Sequence, residues 1–354
     1  MSHKALIAMS GGVDSSVAAL LMRQSGWDCV GCTMRLFENE DVGLDAKACC
    51  SLDAVEDARS VAVRLGMPYY VFNFTADFRE KVIGKFVDCY FAGATPNPCI
   101  DCNRYLKFDR LYERAKALGC DAVVTGHYAR IGERNGVPVL KKGLDPDKDQ
   151  SYVLYHLTAE QLRHTRFPVG ELTKPEVRAL AEEHGFLNAH RPDSQDICFA
   201  PDGDYAKVIE TISGRKSEPG AFVTPDGKVL GTHKGVIHYT LGQRKGLGVA
   251  STAPLYVVAI RPETNEVVLS HGEGLFTDTV TVRDLNLPAG EDFSEPKRVK
   301  AKIRYRHPEQ PCTAVRTDDD TLVLTFDTPQ RAVTKGQSAV LYDGDDVLGG
   351  GTID

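Results

Sequence analysis

The sequence contains no apolar run that approaches the ~20 residues a membrane-spanning helix needs, and its amino terminus lacks the long apolar stretch of a signal peptide. We therefore expect a cytoplasmic protein whose 10 cysteines are reduced and bear on metal or redox chemistry before disulfides. Internal repeats and low-complexity linkers are also missing. Hydrophobic residues make up 42% and charged residues 26%, which excludes a disordered or fibrous chain.

A large excess of positive charge is also missing, since the net charge of the 354 residues is −7. One segment departs from this balance: residues 297–306 read KRVKAKIRYR, with six basic residues and no acidic one. In a strand, alternation would bring many of these side chains to one face. The segment could be an ordinary solvated face, but in an acidic protein it favours contact with a nucleic-acid backbone, with Tyr305 able to stack on a base.

The first part of the chain alternates short apolar runs with helical periodicity, which predicts an α/β domain with a parallel sheet. The predicted strands are residues 4–9, 29–36, 69–74 and 121–125, and the first two predicted helices are 15–25 and 51–65. Thr173 and Pro175 are placed to start a later helix. Beyond residue 221, short strands and turn residues indicate an all-β part. We divide the chain into a catalytic domain with a helical extension, a small central domain and a β-barrel, at residues 1–205, 206–276 and 277–354.

The first strand is followed by SGGVDSS at residues 10–16 and then by a helix. Glycines let the backbone approach an anion closely, and the helix amino terminus adds its positive dipole end, so this loop predicts a phosphate site. It lacks the Gly-Lys-Ser/Thr of a P-loop and the Gly-x-Gly-x-x-Gly of a dinucleotide fold. The alternative is a tight glycine turn with serine as the helix cap.

A second motif, TPNPCIDCN at residues 95–103, holds Cys99 and Cys102. Prolines on both sides of Asn97 predict a rigid loop at the start of the next helix, where the helix end can acidify a thiol. A third motif, DSQDICF at residues 193–199, adds Cys198. Three such thiols suit persulfide or redox chemistry, or an iron–sulfur cluster; zinc would also need a fourth ligand, which is not evident.

The phosphate loop resembles that of the PP-loop ATP pyrophosphatase superfamily. Together with TGHY at 125–128, KDQSY at 148–152 and LGGG at 348–351, the motifs from Ala8 to the carboxyl terminus resemble the tRNA-uridine 2-sulfurtransferases. The resemblance implies a PP-loop domain and ATP-dependent replacement of the C2 oxygen of the wobble uridine by sulfur, in the tRNAs for Lys, Glu and Gln. ATP would adenylate that oxygen, releasing pyrophosphate, and AMP would then leave.

The resemblance also implies the parts of the site. Cys198 would carry the persulfide, received from a sulfur-relay protein or cysteine desulfurase, and Cys102 would be the partner nucleophile. Asp14 would help to hold Mg²⁺. The residues implied for ATP binding are Ala8, Met9, Ser10, Gly11, Gly12, Val13, Asp14, Ser15, Ser16, Met34 and Gly126. The residues implied for tRNA contact are Asn97, Pro98, His127, Lys148, Asp149, Gln150, Arg304, Tyr305 and Gln337.

Cys99 departs from the family pattern, because many members carry aspartate there. With Cys102 and Cys198 it completes a three-thiolate set resembling that of related thiolases which hold a [4Fe-4S] cluster, so cluster chemistry is kept beside the preferred persulfide chemistry. Two other function classes are weighed. A ligase or amidotransferase such as argininosuccinate or GMP synthetase needs neither the paired cysteines nor the basic strip, and an RNA-binding module leaves the phosphate loop without purpose.

The remaining cysteines are interpreted structurally. Cys29 and Cys32 lie three apart on a predicted strand and should point to opposite faces of the sheet, which disfavours a shared metal and favours core packing. The others predicted to be small buried hydrophobes are Cys89, Cys120 and Cys312. Cys49 and Cys50 are read as a loop feature.

Overall fold

The computed structural model of the protein describes residues 3–38, 52–192 and 197–354. Its first domain contains a parallel sheet of five strands in the order β3-β2-β1-β4-β7. The strands are β1 (Lys4–Ala8), β2 (Asp28–Arg35), β3 (Tyr69–Asn73), β4 (Ala122–Val124) and β7 (Thr165–Arg166). The four predicted strands are confirmed to within one residue at each end, because each is a short buried or β-branched run bounded by turn residues.

Helices cover both faces of this sheet. They are α1 (Val13–Gln24), α2 (Leu52–Arg64), α3 (Thr75–Phe78), α4 (Lys85–Phe91), α5 (Pro98–Asp101), α6 (Leu111–Ala117), α7 (Ser151–Leu154), α8 (Ala159–Arg163) and α9 (Lys174–Glu183), with π-helical turns at Arg79–Gly84 and Cys102–Arg110. Alternation along β1 sends Ile7 into the core on one face and Leu6 into the core on the other. The start of α9 is confirmed, since Thr173 and Glu176 form a capping box.

The segment that carries Cys99 and Cys102 is helical, so its prediction as a loop is wrong. Asn97 is the N-cap, and its side chain accepts a hydrogen bond from the Cys99 amide at 3.1 Å. Pro98 occupies the first helical position, where proline costs nothing because that amide has no helical partner. Cys99 therefore lies in the first turn of α5, and Cys102 begins the π-helical turn that follows.

The central part of the chain is a small α+β unit. Helix α10 (Tyr205–Ser213) precedes a four-stranded sheet in the order β10-β11-β8-β9. Its strands are β8 (Gly220–Val223), β9 (Val229–His233), β10 (Tyr256–Arg261) and β11 (Glu266–Ser270). The predicted change to all-β structure beyond residue 221 is confirmed to within one residue.

The carboxyl-terminal part is a closed six-stranded antiparallel barrel, as predicted. Its strands are β12 (Phe276–Asn286), β13 (Lys297–Lys302), β14 (Gln310–Asp318), β15 (Thr321–Arg331), β16 (Ser338–Asp343) and β17 (Asp346–Ile353), and pairing of β12 with β17 closes it. A hairpin that the sequence analysis missed, β5 (Ala129–Arg134) and β6 (Val137–Lys142), leaves the first domain and adds to β17. The hairpin joins the first domain and the barrel.

Among the described helices, none combines the length and the apolar character that crossing a membrane requires.

Candidate functional site

The phosphate loop lies between the carboxyl end of β1 and the start of α1, as the sequence predicts. The hydroxyls of Ser15 and Ser16 each donate to the Gly12 carbonyl at 3.0 Å, which closes the turn. Gly11 has a φ of +78°, and a Cβ there would lie 2.4 Å from the Ala54 carbonyl oxygen. Glycine is therefore required at this position both by the backbone conformation and by packing against α2.

Asp14 occupies the first turn of α1 and is held by two side chains that the sequence analysis did not single out. The Lys174 ammonium lies 2.7 and 2.8 Å from the two carboxylate oxygens, and the Tyr128 hydroxyl donates to the same carboxylate at 2.7 Å. Lys174 is buried. In the sequence Lys174 appeared only as part of a helix start, and nothing there linked it to a loop 160 residues away.

Two further residues support the loop from behind. Asn188 donates to the Gly11 carbonyl at 2.8 Å and to the Ser16 hydroxyl at 2.9 Å. Arg191 also reaches the Gly11 carbonyl and pairs with Asp57 on α2. These contacts fix the loop's carbonyl side, and on its amide side the Ser10 and Gly12 amides donate to the hydroxyls of Ser15 and Ser10 at 3.2 and 3.4 Å.

The loop borders a partly open space of about 400 Å³, which we call the inner cavity. Many of the residues that the resemblance assigns to ATP, to sulfur chemistry or to tRNA contact line it, although they come from distant parts of the chain. These are Ala8, Met9, Ser10, Asp14, Ser15, Met34, Pro98, Cys99, Cys102, Gly126, His127, Gln150 and Cys198. The cavity opens at the carboxyl edge of the parallel strands, where such sheets bind ligands.

Gly126 lines the inner cavity, and packing against the phosphate loop accounts for its being glycine. A Cβ at this position would lie 2.6 Å from backbone atoms of Asp14 and Ser15. The strand end is thus packed directly on the phosphate loop. Glycine at this position is what allows β4 and α1 to meet.

The three cysteines of the sequence motifs line the inner cavity with unequal exposure. Cys99 is exposed, Cys198 is half-buried and Cys102 is buried. Within residues 3–38, 52–192 and 197–354, no three His, Cys, Asp or Glu side chains are placed to hold one metal ion together. Because the thiolates of a [4Fe-4S] cluster bind different irons, the cluster and persulfide alternatives both stay predictions. The part of the third motif at residues 193–196 lies outside the described residues, as do Cys49 and Cys50.

His127 is buried and borders the inner cavity. Its Nδ1 lies 2.7 Å from the Thr125 hydroxyl, and its Nε2 lies 3.5 Å from the ammonium of Lys107. Burial, and to a smaller extent the charge of Lys107, holds the pKa of His127 well below its usual range. The imidazole is therefore neutral at pH 7, with Nε2 accepting from the lysine and Nδ1 donating to the threonine.

We expect the free energy of unfolding to fall as the pH drops below about 6.5, the ordinary pKa of histidine. Below that pH the unfolded chain protonates His127 and the folded chain does not, which costs about 1.4 kcal/mol per pH unit for this side chain. Urea unfolding between about pH 5 and 7.5 measures how the free energy of unfolding changes with pH. His127→Gln should flatten the slope, whereas the exposed His190→Gln should not; equal slopes for all three proteins would contradict a neutral buried His127.

A wider space of about 890 Å³, here named the outer cleft, lies on the other side of the phosphate loop. Ser10, Asp14 and Gln150 line both spaces, so the two meet at the loop. The outer cleft carries charges of both signs, and its acidic lining residues are Asp14, Asp147, Asp149 and Glu309. Its cationic lining residues are Lys148, Lys174, Arg191, Lys302 and Arg306.

The segment KDQSY at residues 148–152 forms one wall of the outer cleft, but two of its side chains point inward. The carboxylate of Asp149 accepts from the amides of Gly143 and Ser151 at 3.0 and 3.1 Å. The carbonyl of the Gln150 side chain accepts from the Tyr128 amide at 3.0 Å. These side chains shape the wall, and the backbone and Lys148 face the open space.

The basic strip 297–306 divides into two parts. Lys297 pairs with Glu291, and Arg298 pairs with Asp327 through two hydrogen bonds, so the first part is neutralised within the barrel. The second part reaches the outer cleft through Lys302, Tyr305 and Arg306. Acidic residues from neighbouring elements thus pair with the beginning of the strip, and its contact with nucleic acid stays a prediction.

Three residues assigned to tRNA contact by resemblance, Asn97, Arg304 and Gln337, lie outside the lining of both spaces. Arg304 donates to the carbonyl of Arg331 at 3.3 Å. Gln337 donates to the carbonyl of Thr95 at 2.6 Å, which connects the barrel to the turn before Asn97.

The other cysteines follow their structural interpretation with one exception. Cys29 and Cys32 are fully buried in the cores on opposite faces of the sheet, and Cys120 and Cys312 are also buried. Burial raises the pKa of Cys29 to about 11. Cys89 is only half-buried, so its prediction as a buried hydrophobe is wrong.

Comparisons with known proteins match the three parts of the chain to three family models. Residues 3–202 match a tRNA methyl transferase HUP domain, residues 207–271 a tRNA methyl transferase PRC-barrel domain, and residues 277–353 an aminomethyltransferase beta-barrel domain. Among full-length relatives, the tRNA-specific 2-thiouridylase MnmA of Clostridioides difficile is 50% identical over 100% of this chain and 99% of its own.

The proteins of the same name from Lachnoclostridium phytofermentans and Acetivibrio thermocellus are 51% and 49% identical, each over 99% of both chains. Identity at this level over whole chains is well beyond a shared fold. The chain belongs to the tRNA-specific 2-thiouridylase family.

Proposed function

We propose that this protein is a tRNA-uridine 2-sulfurtransferase that uses ATP to replace the C2 oxygen of the wobble uridine with sulfur, giving 2-thiouridine, AMP and pyrophosphate. One observation carries the proposal: the phosphate loop and the three cysteines of the motifs line the same inner cavity. An activated oxygen and an incoming sulfur must meet at one carbon, and this cavity brings both chemistries within its 400 Å³.

Activation is assigned to the loop side of the cavity. The imide oxygen is a poor leaving group, and adenylation converts it to AMP, which leaves readily. The amides of the loop and the start of α1 would hold the pyrophosphate part of ATP. Mg²⁺ is commonly bound by one or two carboxylates together with substrate phosphates, and the partly exposed Asp14 carboxylate fits that role. Lys174 would then keep the carboxylate oriented.

Sulfur transfer is assigned to the cysteines. The terminal sulfur of a Cys198 persulfide attacks C2 of the adenylated uridine, the C2–O bond breaks, and AMP leaves with the electron pair. The Cys102 thiolate then attacks Sγ of Cys198, which breaks the bond to the transferred sulfur and leaves a Cys102–Cys198 disulfide. A thiol reductant must reduce this disulfide before the next cycle. In the alternative order, Cys102 first releases hydrosulfide from the persulfide.

The outer cleft is proposed to receive the anticodon arm of the tRNA. Its five cationic side chains suit a phosphate backbone, and Tyr305, which is 37% exposed, can stack on an unpaired base. The wobble base would pass from this cleft over Ser10 and Gln150 into the inner cavity, since both residues line both spaces. The sulfur donor is proposed to be a persulfide-bearing protein that reaches Cys198.

The proposed function is tested by measuring AMP and pyrophosphate formation from ATP with and without substrate tRNA, together with 2-thiouridine formation from a persulfurated donor. We expect product release that depends on tRNA. ATP cleavage that is independent of tRNA would favour a ligase or amidotransferase. Tight tRNA binding without any ATP cleavage would favour a binding module.

Replacing Lys302 and Arg304 together with alanine is expected to weaken tRNA binding and to lower the slope of log K against log[salt], by about one unit for each phosphate that the variant no longer binds. The matched control is the pair Lys297→Ala and Arg298→Ala, whose charges are already neutralised by Glu291 and Asp327. Filter binding between about 50 and 200 mM salt measures both slopes. A slope for the Lys302 and Arg304 variant equal to that of the wild type would show that the second part of the strip does not bind the phosphate backbone.

A further inference from the structure

Lys107 is the one cation in the lining of the inner cavity among the described residues. It belongs to the segment LKF at residues 106–108, to which the sequence analysis gave no role. Its position follows from the π-helical turn Cys102–Arg110, in which backbone hydrogen bonds join residues five apart. Cys102 and Lys107 are five apart, and both face the inner cavity.

The ammonium of Lys107 has a neutral partner. Its hydrogen bond is to Nε2 of His127, and no carboxylate of the described residues forms an ion pair with it. Other lysines near the site differ, since Lys85 pairs with Asp101 and Lys174 with Asp14. A half-buried cation without a counter-charge is costly to keep, so the cavity is suited to an anionic group.

The cations of the site are divided between the two spaces. Lys174 and Arg191 line the outer cleft and do not line the inner cavity, whereas Lys107 lines only the inner cavity. Asp14 lines both, but Lys174 already compensates its charge. When ATP is split, two anions result. The cleft side offers pyrophosphate Lys174 and Arg191, which also pair with Asp14 and Asp57, and the cavity side has Lys107 for the phosphate that stays with adenosine.

We propose that Lys107 is a catalytic residue that contacts a non-bridging oxygen of the α-phosphate in the adenylated uridine and in the departing AMP. This inference rests on the proposed function, because it assumes that the uridine oxygen is adenylated. His127 acts as a positioning residue, since its neutral ring holds the lysine without cancelling its charge.

Lys107 would lower the barrier of the sulfur-transfer step because the negative charge on the phosphate of AMP increases during that step. As the S–C2 bond forms and the C2–O bond breaks, the electron pair of that bond moves to the phosphate oxygen, and the phosphate of AMP gains a second negative charge. Lys107 stays protonated and transfers no proton. Its attraction to the phosphate therefore grows along the reaction, which lowers the barrier for AMP departure.

The test compares Lys107→Met and Lys107→Arg with the control Lys116→Met, an exposed lysine of α6 whose ammonium lies over the Tyr112 ring. Calorimetric titration with AMP, adenosine and pyrophosphate measures each ligand separately. We expect Lys107→Met to weaken AMP binding at least tenfold while adenosine and pyrophosphate binding change less than twofold. Lys107→Arg should keep most of the AMP affinity. In single turnover, 2-thiouridine formation by Lys107→Met should slow about 100-fold or more.

Unchanged AMP binding in Lys107→Met would overturn the assignment, and so would an equal loss of pyrophosphate binding. A loss of adenosine binding as well would indicate a packing role and would also overturn it; Lys107→Arg checks the charge requirement if the methionine variant does not fold. Failure of the proposed function is distinguishable, because wild-type protein would then form no AMP from ATP and tRNA at all.

Discussion

Asp14→Ala is expected to reduce AMP formation from ATP and tRNA by about 100-fold or more, while the affinity for tRNA changes less than threefold. The carboxylate is the proposed protein ligand of phosphate-bound Mg²⁺, and it also holds Lys174 at 2.7 Å beside the loop. Without this carboxylate, neither Mg²⁺ nor Lys174 would be held in place to bind the pyrophosphate. The adenine side of the cavity and the tRNA cleft keep their remaining contacts.

Asp14→Asn tests whether the negative charge of the side chain is needed, because asparagine has nearly the same shape. Asparagine can still accept the hydrogen bond from Tyr128, but it cannot compensate the positive charge of Lys174. We expect it to be nearly as inactive as the alanine variant. The control is Asp278→Asn, an exposed residue of the barrel surface. AMP and pyrophosphate are measured by chromatography, and tRNA affinity by filter binding. AMP formation at the wild-type rate in both Asp14 variants would remove the phosphate loop from the mechanism.

Cys198→Ser is expected to abolish 2-thiouridine formation, with a loss of about 1000-fold or more, because no other residue would carry the persulfide. AMP formation should continue, since activation does not need the thiol. This variant cannot distinguish persulfide from cluster chemistry, as both require Cys198. Cys99→Asp can, because it removes one of the three thiolates that the cluster would need and leaves Cys102 and Cys198 in place.

Wild type and Cys99→Asp are to be purified without oxygen, analysed for iron and acid-labile sulfide, and assayed in air with a persulfurated donor. We expect both proteins to lack stoichiometric iron and Cys99→Asp to retain at least a third of the activity. The exposed position of Cys99 supports this expectation. About four irons per chain, with activity that disappears when iron is removed, would overturn the persulfide mechanism.

The elements of the first domain could be read from the sequence because each is specified locally. Apolar periodicity, capping residues and glycine stops determine β1, α1, β2 and the start of α9, and none of these signals needs a distant partner. The errors arose where local signals compete. The prolines around Asn97 suggested a loop, yet Asn97 caps a helix and Pro98 starts it, so the same residues favour helix once an N-cap is recognised.

The hairpin β5–β6 was missed for a different reason. Its residues alternate only weakly between apolar and polar, and part of its stability comes from pairing with β17, which lies about 200 residues later in the chain. A short stretch of sequence around the hairpin therefore gives no information about its pairing with β17. The divided basic strip has the same cause, since Glu291 and Asp327 neutralise Lys297 and Arg298 from other elements.

The sequence by itself determined the fold class, the phosphate loop and the presence of three motif cysteines, because these depend on local spacing and on motifs whose chemistry is carried by adjacent residues. Only the tertiary structure decided which charges act in the site. Lys174 and Lys107 belong to helical segments that are far from the loop in the sequence. The charge of Lys174 is compensated by Asp14, and Lys107 hydrogen-bonds to the neutral ring of His127. Electrostatic interaction depends on distance and burial, and both are set by how the chain packs.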